Sequence, residues 1–511
     1  MTHTNDTAGS SGGDAASAPS RYQRRPLLRL AHGTLIYGMG GALTKFVALL
    51  LLPIFTAYLS PAEYGVVAML ALFSAAATAL FSCGLGVSIG ICYHKDETPG
   101  HRHAAIWTAF VILALCVAML LAAGAYVYRD AGTLMFGSPQ YDGLVLLTLL
   151  ATGAGILVQP FSLSCQFREK ALTFVAISVA ASLAGTATSL YLVVALGLGA
   201  TGVVLGIVVT QVVAFGLFVA ECWRNVPFAL DRRAAGSLMR HGLPMVPSFL
   251  SLYVLQLGGQ FILKEISGLD ALGVYSVGLS LGMAMSLLVS AFTSAWPQFF
   301  LSYWGDRAGA KSVFRKAFTW YVLVFGAASL LFFVWATPVV LAMAAPGYFA
   351  SHSVVGWVAV AQFLSGAFSI LLPAAYFSRR LGVIVPIQTV AALVSIGAAC
   401  LLVPQRGIEG AAQALALGYL AMCALLYAWN RIGQEEFTLS YDWRRIAWFA
   451  AGYAFIVLVA GYGPAAGFRG ELLKSVAGSI LICVLVLVLL TAGERRAIRE
   501  AVRAMTRPVA Q

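Results

Sequence analysis

His103 to Val127 reads HAAIWTAFVILALCVAMLLAAGAYV, twenty-five residues without one Asp, Glu, Lys or Arg. As a helix rising ~1.5 Å per residue it would exceed the roughly 30 Å of a bilayer's hydrocarbon layer. In that layer only helices and closed barrels satisfy their own backbone hydrogen bonds, and the absence of strict alternation here selects a helix. Comparable apolar stretches recur at about 32–59, 64–92, 142–164, 171–196, 200–221, 242–266, 271–300, 317–344, 351–377, 381–403, 408–429, 446–462 and 472–492. The expectation is an all-α polytopic membrane protein of about 14 transmembrane helices. The whole 511-residue chain agrees, with 60% hydrophobic and 10% charged residues and a mean hydropathy of +0.86. Soluble domains carry about 25% charged residues, so a soluble enzyme, a disulfide scaffold and a disordered chain are excluded. The eight cysteines are scattered in or beside apolar runs, without CxxC or Cys/His spacing, and suit small apolar fillers better than a metal site. The Ser-, Gly- and Ala-rich first 20 residues have no apolar core and read as a flexible tail, not a cleavable signal.

Charge gives the orientation. With a cytoplasmic N-terminus, 26 of the 32 Lys and Arg residues fall in inside segments and four (Arg129, Arg406, Arg469 and Lys474) in outside loops. The alternation holds loop after loop, which requires an even number of crossings and puts both termini inside. It also accounts for the net charge of +12 as topology and attraction to anionic lipid, so no nucleic-acid partner is needed. The tail from Glu494 reads as a basic amphipathic helix lying on the membrane surface.

Two halves echo one another at an offset of about 208–210 residues. His32-Gly33 matches His241-Gly242, and Glu63-Tyr64-Gly65-Val66 matches Ala271-Leu272-Gly273-Val274. Phe167-Arg168-Glu169-Lys170 matches Phe377-Ser378-Arg379-Arg380, and Gly199–Gly202 matches Gly407–Gly410. Six spans per copy is an even number, so the copies cross in the same direction, related by a pseudo-two-fold along the membrane normal with a path between two six-helix lobes. The expected organisation is a cytoplasmic tail (1–25), an N-lobe (26–222), a cytoplasmic linker (223–240), a C-lobe (241–431), two extra C-terminal helices (432–493) and a basic tail (494–511).

All twenty acids lie in tails, loops or within a few residues of span ends. Lys45, by contrast, sits about 15 residues into the first span, ~20 Å deep. A charge there costs at least ~2.5–3.5 kcal/mol on insertion scales and needs a wet cavity, a partner or an anion. Tyr37, Gly41 and Lys45 share a helical face with Thr44 alongside, and Tyr253, Gln256, Gln260 and Lys264 form the corresponding stripe in span 7. The functional reading is a cationic cavity for an anionic head group. The competing one has Lys45 bonded to a carbonyl and Lys264 reaching outward beside Glu265. His32, Arg240 and His241 stand at the cytoplasmic mouths of the two helices, as phosphate-receiving groups or as ordinary positive-inside anchors. Gln159, Gln211 and Gln298 read as interhelical hydrogen-bonding amides, and Pro53, Pro160, Pro247 and Pro297 as helix kinks. Gly197–Gly202 fits GxGxxG but lies in a turn between membrane helices with no preceding strand, so it is not read as a nucleotide site. Gly202, Gly206, Gly278 and Gly282 read as close helix packing. No cofactor and no metal are expected.

The opening Gly33–Leu59 helix, the link Leu59-Ser60-Pro61-Ala62-Glu63-Tyr64-Gly65, Gly84-Leu85-Gly86, and the Gly199–Gly202 turn with its echo resemble the polysaccharide (O-antigen type) flippases. These belong to the multidrug/oligosaccharidyl-lipid/polysaccharide exporter superfamily. The resemblance spans about residues 26–495 and implies two six-helix lobes and alternating access. It also implies movement of a polyprenyl-pyrophosphate-linked oligosaccharide from the inner to the outer leaflet of a bacterial plasma membrane, alongside polysaccharide polymerase and glycosyltransferases. Relatives often carry mid-membrane arginines; here lysines stand instead. A cation-coupled multidrug exporter is opposed by the missing deep carboxylate. A membrane-embedded polymerase or ligase is opposed by the longest outer loop, about Tyr128–Tyr141, which lacks a clustered acid/base pair. The expectation is a transporter and not an enzyme.

Overall fold

The computed structural model describes residues 46–47, 49–95, 99–304, 306–432, 441–462 and 467–489. Wherever an apolar stretch reaches these residues it is helical, and no strand occurs among them. In chain order the helices are α1 (Leu49–Tyr58), α2 (Pro61–Phe81), α3 (Leu85–Lys95), α4 (Pro99–Phe136), α5 (Asp142–Phe167), α6 (Ala171–Leu190), α7 (Gly199–Asn225) and α8 (Arg232–Gly242). They continue with α9 (Val246–Gly282), α10 (Met285–Leu301), α11 (Arg307–Met343), α12 (His352–Leu371), α13 (Pro373–Phe377), α14 (Ile384–Ile432), α15 (Trp443–Tyr462) and α16 (Gly467–Leu489).

Eleven helical segments among the described residues are long and apolar enough to cross a membrane, and α1 and α10 are shorter apolar helices. Most of the first stretch lies outside the described residues, and backbone breaks redistribute others. The seventh stretch and the start of the eighth run together as α9, separated only by Gly268 at φ +83°, a conformation glycine adopts without Cβ strain. The eighth then breaks at Met283–Ala284 before α10, as the second breaks between α2 and α3, where Cys83 and Gly84 take φ +49° and +65°.

Two expectations need correction. Pro247 does not kink a helix: it lies in the first turn of α9, where a missing N–H costs nothing. Residues 128–136 are not loop, because α4 runs on to Phe136, and the Asp142 carboxylate accepts from Gly132 N–H at 2.8 Å where the chain turns. In the second half of the linker region α8 forms an amphipathic helix. Asp231 caps its N-terminus by accepting from the Arg233 N–H at 2.8 Å. Its Leu238 is fully buried, and Ser237 pairs with Cys92 of α3 at 3.3 Å, so α8 lies docked on α3 and α4.

The internal repeat is visible in backbone geometry. Glu169 and Arg379, 210 residues apart, are both left-handed, at φ +55° and +54°. Lys170 N–H returns to Cys165 at 3.0 Å and Arg380 N–H to Ala375 at 3.1 Å, the same helix-terminating pattern in each copy. Buried apolar side chains of α2–α5, α7 and α8 form one core, and those of α9–α15 another. A third cluster joins them through Met69 and Leu72 of α2 against Leu263, Leu272 and Tyr275 of α9. The glycines read as packing positions do pack: Gly206 faces the Gly185 carbonyl, and Gly278 and Gly282 face the carbonyls of Ser351 and Val355. The C-terminal pair leans on α11, with Ser475 donating to the Val334 carbonyl at 2.7 Å and Trp335 to Ser479 at 3.0 Å.

Candidate functional site

The bundle has two unlike ends. Arg168, Lys170, Arg224, Arg240, Arg379 and Arg380 gather at helix termini of one, the basic end. The turn Leu59–Ser60 and the breaks at Gly197–Gly199, Gly268 and Gly407 mark the other, the far end.

At the far end the two halves are joined backbone to backbone. A Cβ at Gly65 would collide with the carbonyl of Leu269, and a Cβ at Gly273 with the carbonyl of Pro61. Gly65 and Gly273 are 208 residues apart, and so are Pro61 and Leu269, so Gly65 meets the copy of Pro61 while the copy of Gly65 meets Pro61 itself. That reciprocity is what a two-fold axis produces, and it places the pseudo-axis between the starts of α2 and of the second half of α9. Ser60 and Glu63 cap α2 reciprocally, fixing the approach of the α1–α2 turn. The turn Pro346–Ser351 then grips it: the buried Tyr348 donates to the Leu59 carbonyl at 2.9 Å, and Ala345 N–H to Thr56 Oγ1 at 3.3 Å. Tyr348→Phe removes one net hydrogen bond, about 0.5–1.5 kcal/mol. Such a change should raise labelling of cavity cysteines from the far end about two- to tenfold without loss of protein, measured with a membrane-impermeant maleimide.

Below this joint lies a cavity of about 630 Å³ walled by α1, α2, α6, α7, α9 and the start of α10. Its polar lining includes Thr186, Ser189, Thr210, Gln260, Ser276 and Ser280. Several of these hydroxyls donate to carbonyls one turn back, Ser276 to Leu272 at 2.7 Å and Thr210 to Gly206 at 3.0 Å, leaving oxygen lone pairs for a guest. Among the described residues its wall has no ionised side chain. A second cavity of about 460 Å³ lies between α2, α4, α5 and the first half of α9, mostly apolar and ending at Lys264 and Glu265. Leu72 and Leu257 line both cavities.

The α9 stripe is dispersed by this packing. Gln260, 4% exposed, lines the central cavity, whereas Tyr253 and Lys264 line the apolar one. Gln256 turns away into the C-terminal half and donates to the Tyr419 hydroxyl at 2.9 Å. The Lys264 ammonium is held 2.7 Å from Glu265, and so carries a partner already. Arg240 is exposed on α8, and His241 Nδ1 lies 2.7 Å from the Ser237 carbonyl. His32, Tyr37, Thr44 and Lys45 lie outside the described residues, as does the tail from Glu494. Gln211 packs against Gly155 of α5. The cavity hydroxyls and Tyr348 escaped sequence reading because serine, threonine and tyrosine are common in membrane helices. The paired glycines were visible as a repeat marker, and their role as a joint was not.

Residues 30–300, more than half of the chain, match the family described as polysaccharide biosynthesis protein. The chain belongs to that family. No curated protein matches it by sequence. Among solved structures, this polysaccharide biosynthesis protein is similar to the lipid II flippase MurJ in an inward closed conformation, with a TM-score of 0.65, 10% identity and coverage of 89% of this chain and 98% of that one. It is also similar to an inward-facing multidrug-resistance MATE transporter of the MOP superfamily (TM-score 0.61, 14% identity, 76% and 97% coverage). The Vibrio cholerae MATE transporter VcmN, as a variant, follows at TM-score 0.51 and 14% identity, with 78% and 95% coverage. The fold is therefore that of the MOP-superfamily transporters.

Proposed function

We propose that this protein is a flippase carrying a polyprenyl-pyrophosphate-linked oligosaccharide from the inner to the outer leaflet of a bacterial plasma membrane, for cell-surface polysaccharide such as O-antigen or exopolysaccharide. The observation that carries the reading is the central cavity, lined with hydroxyls and an amide and roofed by the two-fold joint, in a chain of the polysaccharide biosynthesis family. Neutral hydroxyl and amide groups suit sugar hydroxyls, which both donate and accept. The positive-inside rule assigns the basic end and both termini to the cytoplasm, so the joined far end faces outward and the sugar enters from inside. Lys45 lies four residues before Leu49 in the sequence, and Leu49 lines the cavity; we assign the Lys45 ammonium to the pyrophosphate. Tyr37, Thr44 and Gln260 would then bind sugar, and His32, Arg240 and His241 would receive the head group at the mouth.

An anionic head group moving outward down an inside-negative potential gains ~2.3 kcal/mol per charge per 100 mV, so export of this kind can run without nucleotide. Proteoliposomes holding the purified protein and a fluorescent polyprenyl-diphosphate oligosaccharide test it. Lipid placed in the leaflet at the basic end should become accessible to an external glycosidase faster, and faster still with the potential negative on that side. Glycosidase accessibility equal to that of empty liposomes at every potential would reject the reading.

A further inference from the structure

We infer that the apolar cleft between α2, α4, α5 and α9 seats the isoprenoid chain of the transported lipid while its head group occupies the central cavity. This rests on the flippase reading and adds to it where the hydrocarbon goes. A flipped lipid has two halves of opposite solubility, and the fold provides two adjoining spaces of matching character. The central cavity carries hydroxyls and an amide. The cleft is walled by Phe73 and Ala76 of α2, Leu149 of α5, and Leu250, Val254 and Phe261 of α9. Its charged groups stand together at one end, where Lys264 and Glu265 neutralise each other at 2.7 Å. Burying a hydrocarbon chain beside a closed ion pair leaves no unpaired charge against it.

Shape and position point the same way. The cleft follows α9 from Leu250 to Lys264, fourteen residues or about 21 Å of helix, so it is elongated along the bundle, the direction in which a lipid chain lies in a bilayer. It is open to the side: Phe261 is 51% exposed and Ala76 is exposed, so a chain can enter from the surrounding lipid. The partition between the two spaces is thin. Leu72 and Leu257 each present one face to the cleft and another to the central cavity, so a molecule with its head on one side and its chain on the other need pass only two leucine side chains.

The test uses the full-length protein in proteoliposomes with a polyprenyl diphosphate carrying a diazirine at the chain end remote from the phosphates. Photolysis followed by peptide mapping should place adducts on α2 between Met69 and Ala76 and on α9 between Leu250 and Phe261. Ala76→Trp, at an exposed position, fills the cleft and should reduce those adducts at least tenfold. Phe261→Ala, also exposed, widens the cleft and should leave or increase them. Adducts confined to α15 and α16, unchanged by Ala76→Trp, would overturn the cleft while leaving the flippase reading intact. No adduct above that of a short-chain diazirine alcohol would overturn the cleft, and the flippase reading would then be judged by the glycosidase assay alone.

Discussion

Gly65→Ala and Gly273→Ala are each expected to force the two halves apart at the far end and to lower transport by about fivefold or more. One methyl group is enough, because at both positions the colliding atom is a backbone carbonyl, which cannot rotate away as a side-chain tip can. Overpacking of this kind costs about 1–3 kcal/mol, equivalent to roughly a 5- to 150-fold shift between closed and open arrangements. Inside each half the substitution is benign: both glycines are helical, and alanine is the better helix former. The penalty therefore falls on the joint and not on the fold. In a Ser280→Cys background, labelling from the far end by an impermeant maleimide should rise steeply. The double variant should cost less than the sum of the singles, since the first methyl group has already separated the surfaces the second would strike. Gly216→Ala, at an exposed helical glycine with nothing within 4 Å, is the matched control and should behave as the parent. Parental labelling and parental transport in both single variants would remove the joint from the mechanism.

Lys45→Glu is the second large effect: lipid-linked sugar should accumulate on the cytoplasmic leaflet while protein level stays normal. Removing an ammonium from that depth saves about 2.5–3.5 kcal/mol of insertion cost, so Lys45→Ala should insert and fold at least as well as the parent. A binding role predicts the opposite for transport, a loss in Lys45→Ala and a deeper one in Lys45→Glu, whose carboxylate repels pyrophosphate. Lys45→Arg keeps the charge and should retain a measurable rate. The split between normal abundance and failed export separates head-group binding from a structural lysine. Normal export in both Lys45→Ala and Lys45→Glu would exclude Lys45 from the site.

Much of the architecture was readable residue by residue. The apolar run at 103–127 is helix in α4, and the echo of Phe167–Lys170 in Phe377–Arg380 is a shared left-handed helix stop. These are local matters of hydropathy and backbone preference. Pro247 misled because a proline restrains a helix only from its interior, and the sequence does not mark where a first turn falls. The stripe Tyr253, Gln256, Gln260 and Lys264 was also true to its spacing, yet it serves two cavities and a tyrosine partner.

The helical character of the apolar stretches and the echo between the two halves follow from the order of residues alone, because each depends on how a short segment meets lipid or water or on comparison of one segment with another. Folding decided the rest: that Gly65 and Gly273 stand back to back on the pseudo-axis, and that two leucines divide a polar cavity from an apolar cleft. Each of these depends on which faces of distant helices come together. That is set by close packing among residues some two hundred positions apart, a quantity no single segment contains.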